Sequence, residues 1–325
     1  MSTLKKHSGV ALITALLVVS LATILAVSLV DHLYYDIRRT ENILRLDQAQ
    51  LYNTNAIEFG MGLLKLDFDL NNKYDSLEEY SEANEQIFPI TGGQISAMIL
   101  DLQSCFNLNR LSRTSPAFAN SRTAYIRLLA QLGVEANQHN LLADSLVDWL
   151  DTDDISEING AEFDYYIGLE KPYRSANSLL VSPSELRLVK GYTQEVIDLI
   201  EDHICVLPNI NTAINVNTAS PEMLESVKGL SGHGEQIIKD RDATAETTED
   251  DAPFTRVEDF ETYVKNTLKV KPEDFDAKQV QVYSEYFLLK STTYIGAGDI
   301  TLFSIIYRDQ SDGKTQVILQ SRGAL

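Results

Sequence analysis

The stretch "KKHSGVALITALLVVSLATILAVSLV", residues 5–30, opens on Lys5 and Lys6, passes Gly9, and carries no charged residue from Val10 to Val30. Those last 21 residues hold neither glycine nor proline. As an α-helix they reach about 32 Å, the thickness of a bilayer's hydrocarbon core. The apolar core of a cleaved secretory signal is shorter, roughly 7–15 residues, and ends at small residues. Length therefore points to an anchor that is kept. The lysines before the run favour an N-terminus inside and a translocated remainder, although Arg38 and Arg39 weaken that asymmetry.

The helical pattern continues past the apolar run. Residues 10–59 contain no Gly or Pro, and Leu33, Ile37, Leu44 and Leu51 recur near helical spacing. One helix over residues 10–62 is expected to leave the bilayer and enter the aqueous domain, with Gly60 and Gly62 at its end.

The rest of the 325-residue chain is long enough for two or three compact units. Its formal net charge of −20 argues against nucleic-acid binding as its main task, since that task needs a basic face. A solvated acidic surface and specific cation binding are the two readings left open. The two cysteines, Cys105 and Cys205, form no CxxC pair, which excludes a zinc ribbon or a thioredoxin-like site. Export would place them where a disulfide forms; two free thiols are the alternative. The histidines are scattered, with no HExxH, GxSxG or phosphate-binding glycine loop, so no enzymatic function is expected.

Downstream, residues 64–81 read as a polar loop. Residues 87–109 read as a strand pair turning at Gly92-Gly93, and "SEYFLLKSTTYIG", "DITLFSIIYRD" and "TQVILQSR" read as three C-terminal strands with turns at residues 296–299 and 310–314. The middle, residues 111–277, is helical in pattern, with helices expected over 121–132, 141–151 and 183–202. The plan is α+β: a small antiparallel sheet interrupted by a helical insert. "NLN" at Asn107–Asn109 and "NVN" at Asn215–Asn217 form a short echo that allows two related modules.

Two stretches could carry chemistry. "NVNTASPEMLESVKGLSGHGEQIIKDRD…PFTRVEDF" resembles a helix-hairpin-helix unit, with Thr218 or Ser220 capping a helix that opens at Pro221. Such hairpins hold phosphates in DNA-binding proteins. Here Asp240, Asp242, Glu246, Glu249, Asp250 and Asp251 face one base, Arg241, so a protein-facing role is expected. In "DWLDTDDISEINGAEFDYY", Asp144, Asp148 and Asp151 share a helical face. Against an EF-hand loop begun at Asp151, Asp153, Asn159 and Glu162 fall on ligand positions, but Ile155 and Ser156 break the pattern. A looser calcium loop using Asp151, Asp153, Glu157, Asn159, Glu162 and Asp164 and a solvated acidic loop both remain open.

The leader Lys5-Lys6-His7-Ser8-Gly9 before the apolar run resembles that of type IV pilins and type II secretion pseudopilins. The resemblance sharpens with "NLN", "LADSLVDWLDTDD", "GAEFDYY", "PYRSANSLL", "SPSELRLVKG", "INVNTAS" and Pro253-Phe254. These are similar to the minor pseudopilin K family of the type II secretion system and are spread over most of the chain. The family implies a prepilin peptidase cut between Gly9 and Val10 with methylation of the new terminus. It implies a pilin-like helix on a sheet with two SAM/helix-hairpin-helix-like modules inserted, divided as leader 1–9, helix 10–62, body 63–110, modules 111–212 and 213–277, and final strands 278–325. Pilin-like subunits usually carry Glu at the fifth residue after the cut, where this chain has Thr14. Without that carboxylate the subunit cannot pair with a neighbour's N-terminal ammonium, which suits a fibre's end; a tolerated lipid-facing residue is the plain alternative. The resemblance further implies a periplasmic head on a single-pass inner-membrane helix, minor pseudopilins I and J and other pseudopilins as partners, and bound calcium. The runner-up reading is a membrane-anchored DNA-uptake protein using the hairpin unit.

Overall fold

The computed structural model describes residues 8–70, 74–80, 85–242, 253–296 and 298–323. Most of the leader, the acidic stretch 243–252 with Glu246, Glu249, Asp250 and Asp251, and residue 297 in one expected turn lie outside the described residues.

A single helix, α1 (Ser8–Asp69), dominates the N-terminal third. Its apolar side chains from Val10 to Val30 are all solvent-facing, as those of a lipid-embedded segment would be. Further along, one face turns inward: Ala49, Asn53, Ile57, Gly60 and Leu64 are buried at spacings of three and four, the period of one helical stripe. The helix does not end at Gly60 or Gly62, and the expected boundary at residue 62 moves to Asp69. Gly60 is no breaker here. A Cβ at that position would overlap Leu289, so the missing side chain lets the helix lie close on the sheet. Burial of Leu64 beyond it outweighs the roughly 1 kcal/mol helix penalty of a glycine.

The sheet contains β1 (Gln86–Ile90), β2 (Gly93–Asp101), β7 (Tyr286–Ile295), β8 (Gly298–Arg308) and β9 (Thr315–Arg322), in the order β1-β2-β7-β8-β9 and antiparallel throughout. The turn between β1 and β2 uses Gly92 at φ 85°, a left-handed conformation that favours glycine. One sheet face packs on α1 through Phe287, Leu289, Leu302 and Ile306; on the other, Tyr286 and Ile305 are covered by Cys205 and Leu207, while β9 alternates between half-buried and exposed residues.

Between Asp101 and Tyr286 the chain leaves the sheet and builds the insert. Its first part holds β3 (Phe106–Asn107), α2 (Phe118–Gln131), α3 (His139–Leu150), α4 (Phe163–Ile167), α5 (Gln194–Ile200) and β4 (Ile204–Cys205). The second holds β5 (Ile214–Asn215), α6 (Pro221–Ser226), α7 (Gly234–Arg241), α8 (Val257–Asn266) and β6 (Val280–Gln281). β3 pairs in parallel with β4, and β5 with β6, so each part closes on itself. The two Asn-x-Asn stretches occupy matching places. The side-chain oxygen of Asn107 accepts from the Asn109 amide at 3.2 Å, and that of Asn215 from the Asn217 amide at 3.0 Å. Asn109 and Asn217 then clamp a distant backbone segment from both its amide and carbonyl sides, at Leu180 and Phe254 respectively.

The helix expected over 183–202 is broken. A 3-10 turn covers Pro183–Leu188, Gly191 sits at φ 90°, and α5 starts afresh behind the Thr193 cap. Trp149 lies in the insert core with Phe106, Tyr125 and Tyr166. Cys105 and Cys205 are joined in a disulfide with Cα atoms 5.8 Å apart, beside the β3–β4 pair.

Contacts along α1 orient the whole. Arg45 lies beside Gly296, Gly60 meets Leu289, and Asp67 meets Arg308 at 3.0 Å. Asp101, Tyr286 and Arg308 therefore sit at the end of the sheet farthest from the apolar run, and the insert springs from that end.

Candidate functional site

Helix α3 carries Asp144 and Asp148 on one face and ends with Asp151 as its C-cap. Spacings of four and three residues bring all three toward the same side. The chain then loops back over residues 152–161 and presents Glu162 as the residue preceding α4. Gly160 makes this return possible: a Cβ there would overlap the Asp148 carboxylate and crowd the Asp144 carbonyl.

The result is a buried carboxylate cage. Oxygens of Asp148, Asp151 and Glu162 all lie within 4.8 Å of one another. Both carboxylate oxygens of Asp148 accept from the Glu157 amide, at 3.0 and 3.2 Å. Asp151 accepts from Arg113 Nε at 3.0 Å through one oxygen, while its Oδ1 has no partner. Glu162 accepts weakly from Ser175 at 3.5 Å, and its Oε1 has no partner. Asp144, alongside, is paired with Arg122 at 2.5 Å and accepts from Asn159 Nδ2 at 2.8 Å.

Crowded acids taken out of water resist ionisation. Burial, with Asp151 and Asp144 adding to it, pushes the Asp148 carboxyl up to about 6. Burial again, with Asp148 and Asp151 next, pushes Glu162 up to about 7. Asp151 is raised by burial and by Asp153. Two unsatisfied buried carboxylate oxygens in an all-oxygen donor set fit a hard divalent cation, which would relieve both the repulsion and the missing hydrogen bonds.

Of the six candidates from the sequence, Asp151 and Glu162 stand in the cage. Asp153 is exposed and accepts from the Ile155 amide at 2.8 Å. Glu157 turns its carboxylate to Arg113. Asn159 serves Asp144, and Asp164 is exposed in the first turn of α4. Asp148, which the expected ligand set leaves out, joins them; its place on the shared helical face three residues before Asp151 is the signal in the sequence.

Thr14 donates its hydroxyl to its own helix, to Val10 O at 3.1 Å and Ala11 O at 3.0 Å. That satisfies the group without a partner subunit, as a helix in lipid requires. In the hairpin unit, Ser220 caps α6 by accepting from the Met223 amide at 3.2 Å. The Gly234 amide, which opens α7, donates to the Glu225 carboxylate at 3.2 Å. Arg241 is buried and donates to Val216 O and Ala219 O, each at 2.8 Å. The Gly234 amide and the Arg241 guanidinium are thus occupied internally.

Residues 104–209 match the family model described as type II secretion system (T2SS), protein K. The chain is 30% identical to the type II secretion system protein K of Pseudomonas aeruginosa over 98% of this chain and 93% of the relative. It is 32% identical to that of Aeromonas hydrophila over 68% and 70%. Among solved structures, it superposes on a chain of the GspK-GspI-GspJ complex from the enterotoxigenic Escherichia coli type 2 secretion system with a TM-score of 0.72 and 25% identity, covering 88% of this chain and all of the other.

Proposed function

The chain belongs to the type II secretion system protein K family, and from that membership we propose that it is the tip subunit of the pseudopilus, nucleating or capping the fibre that serves protein export across the outer membrane. One observation carries the reading. The insert leaves and rejoins the sheet at the end opposite the apolar run of α1. A helical mass on that side obstructs any subunit stacked above, so the head suits the place where stacking stops.

Thr14 supports the same end. Its hydroxyl closes on its own helix and offers no charge to a neighbour's terminus. Prepilin peptidase would cut between Gly9 and Val10 and methylate Val10; residues 10–30 would remain in the inner membrane and the bulk would lie in the periplasm. The solved relative is GspK in complex with GspI and GspJ, which supports minor pseudopilins I and J as partners here, beside other pseudopilins. Calcium would be held by Asp148, Asp151 and Glu162, where it supplies charge neutralisation and fixes the loop on α3. The DNA-uptake reading is disfavoured by the occupied Gly234 amide and the inward Arg241.

The test is co-expression of the full chain with prepilin peptidase and its I and J subunits, with an epitope on the insert. We expect a ternary complex, a mature mass beginning at methylated Val10, and label confined to one end of the fibre. Label spread along the fibre would overturn the tip assignment.

A further inference from the structure

The buried stripe of α1 is apolar except at one place. Asn53 is fully buried, and all its polar capacity toward the sheet is used. Its amide donates to Ile300 O at 3.0 Å. Its oxygen accepts from Ser291 Oγ and Thr293 Oγ1, each at 2.7 Å. Both hydroxyl residues are themselves buried, side by side on the same face of β7, and Thr293 lies opposite Ile300 across the β7–β8 ladder. Three bonds from two strands thus converge on one side chain of a helix whose other polar contacts with the sheet, Met61 O to Thr315 and Asp67 to Arg308, lie two turns or more further along.

Seven residues on, Gly60 leaves a notch filled by the Leu289 side chain, whose terminal methyl a Cβ there would displace. We infer that Asn53 is a register lock: with the Gly60 notch it fixes where, along its length, the membrane-borne helix is seated on the head. A greasy stripe alone tolerates sliding by a helical turn, because one apolar contact replaces another. A buried asparagine does not, and single buried asparagines are the best-attested devices for setting register between packed elements.

The alternatives fail at both points. Sliding one turn one way brings Ala49 or Gln50 over Ser291 and Thr293, and Ala56 or Ile57 against Leu289. Sliding the other way brings Ala56 or Ile57 over the hydroxyls, and Leu63 or Leu64 against Leu289. Each leaves hydroxyls stranded or drives a side chain into the notch; Gln50, the one amide that could substitute, arrives only with Ile57 in the notch. In the proposed setting the consequence is mechanical. The helix that packs in the membrane carries the head at a fixed height, and a one-turn slip would displace it by about 5.4 Å relative to its neighbours.

The functional meaning rests on the tip reading, but the lock is measured on the isolated chain. A locked chain found elsewhere in the fibre would overturn the tip reading alone. Spin labels go on the exposed positions Asp47 and Gln316 by cysteine substitution, in the full chain in detergent micelles; both native cysteines are in the disulfide and stay silent. Met61 O meets Thr315 at 3.4 Å, so the labels sit about 20 Å apart along the axis at 1.5 Å per residue.

The parent chain should give one narrow distance. Asn53→Leu should add a population displaced by about one turn, ~5 Å. The triple variant Asn53→Leu, Ser291→Ala, Thr293→Val removes the side-chain donors and acceptors together, so it keeps a foldable apolar seam and reports register even if the single variant fails to fold. A second or broadened distance in the triple variant supports the lock. A folded triple variant with the parent's single distance overturns it, since a merely structural Asn53 would move the melting temperature and leave the distance alone.

Discussion

Arg308→Met tests how the head is tied together. The Arg308 guanidinium is buried at the far end of β8, where it donates to both oxygens of Asp75 at 2.6 Å, to Asp67 at 3.0 Å and to Ser284 O at 3.0 Å. It also lies 4.6 Å from the Phe287 ring centroid. Ser284 passes the network on: its hydroxyl donates to Asp101 at 2.7 Å, and Asp101 also accepts from Thr218 and Asn215 of the second module. Helix α1, the sheet and the insert meet in this one cluster. Methionine keeps much of the volume but strands the buried Asp75. Removing one partner of a buried pair costs about 3–5 kcal/mol. Burial already holds Asp75 up at about 7 against the pull of Arg308, so without the arginine it takes up a proton at neutral pH and the loss falls near the lower end. A loss of about 3 kcal/mol corresponds to roughly 6–12 °C in melting temperature at the 2–4 °C per kcal/mol of a large domain. The loss should shrink as pH falls: a carboxyl whose folded pKa is raised favours folding below its unfolded value, and that gain disappears as pH rises through the folded value. Denaturant unfolding of the two proteins, followed by Trp149 fluorescence for the insert and circular dichroism for the whole, gives the difference at pH 5 and 7.5. Adding Asp75→Asn should recover most of it at pH 7.5. A loss below about 1 kcal/mol, or a double variant as weak as the sum of the singles, would refute the buried-pair reasoning.

Replacing Cys105 and Cys205 together by alanine opens a link between residues 100 apart and should cost about 4–5 kcal/mol in the chain-entropy model, read by urea unfolding. Gly160→Ala forces a Cβ onto the Asp148 carboxylate; a loss of roughly 1–3 kcal/mol is expected, together with weaker calcium binding by calorimetry. Chelation should lower the melting temperature of the full chain, and calcium at a hundred times its dissociation constant should restore about 2.7 kcal/mol. No shift, together with no metal by elemental analysis, would remove calcium from the account.

Much of the fold was legible because it rests on local periodicity. The 21 uncharged residues, the strand alternation at the C-terminus and the Gly92 turn each carry their signal within a few neighbours. The end of α1 was not legible, because Gly60 reads as a breaker until Leu289, more than two hundred residues away, is seen filling the space it leaves. The helix expected over 183–202 failed for a different reason: Gly191 and Thr193 are local stop and cap signals, and the expected span ran across them.

The cage divides in the same way. Sequence alone marked the crowding of acids after Asp148, a property of composition. Only tertiary structure decided that Asp151 and Glu162 are buried beside Asp148, while Asp153 and Asp164 face water and Glu157 faces Arg113. Burial is not a property of a residue but of what folds over it, and here a loop returning through Gly160 removes three carboxylates from water. The same holds for Asn53. In the sequence it is a polar residue on an amphipathic helix; two hydroxyls and a carbonyl from distant strands make it the point where the helix is seated.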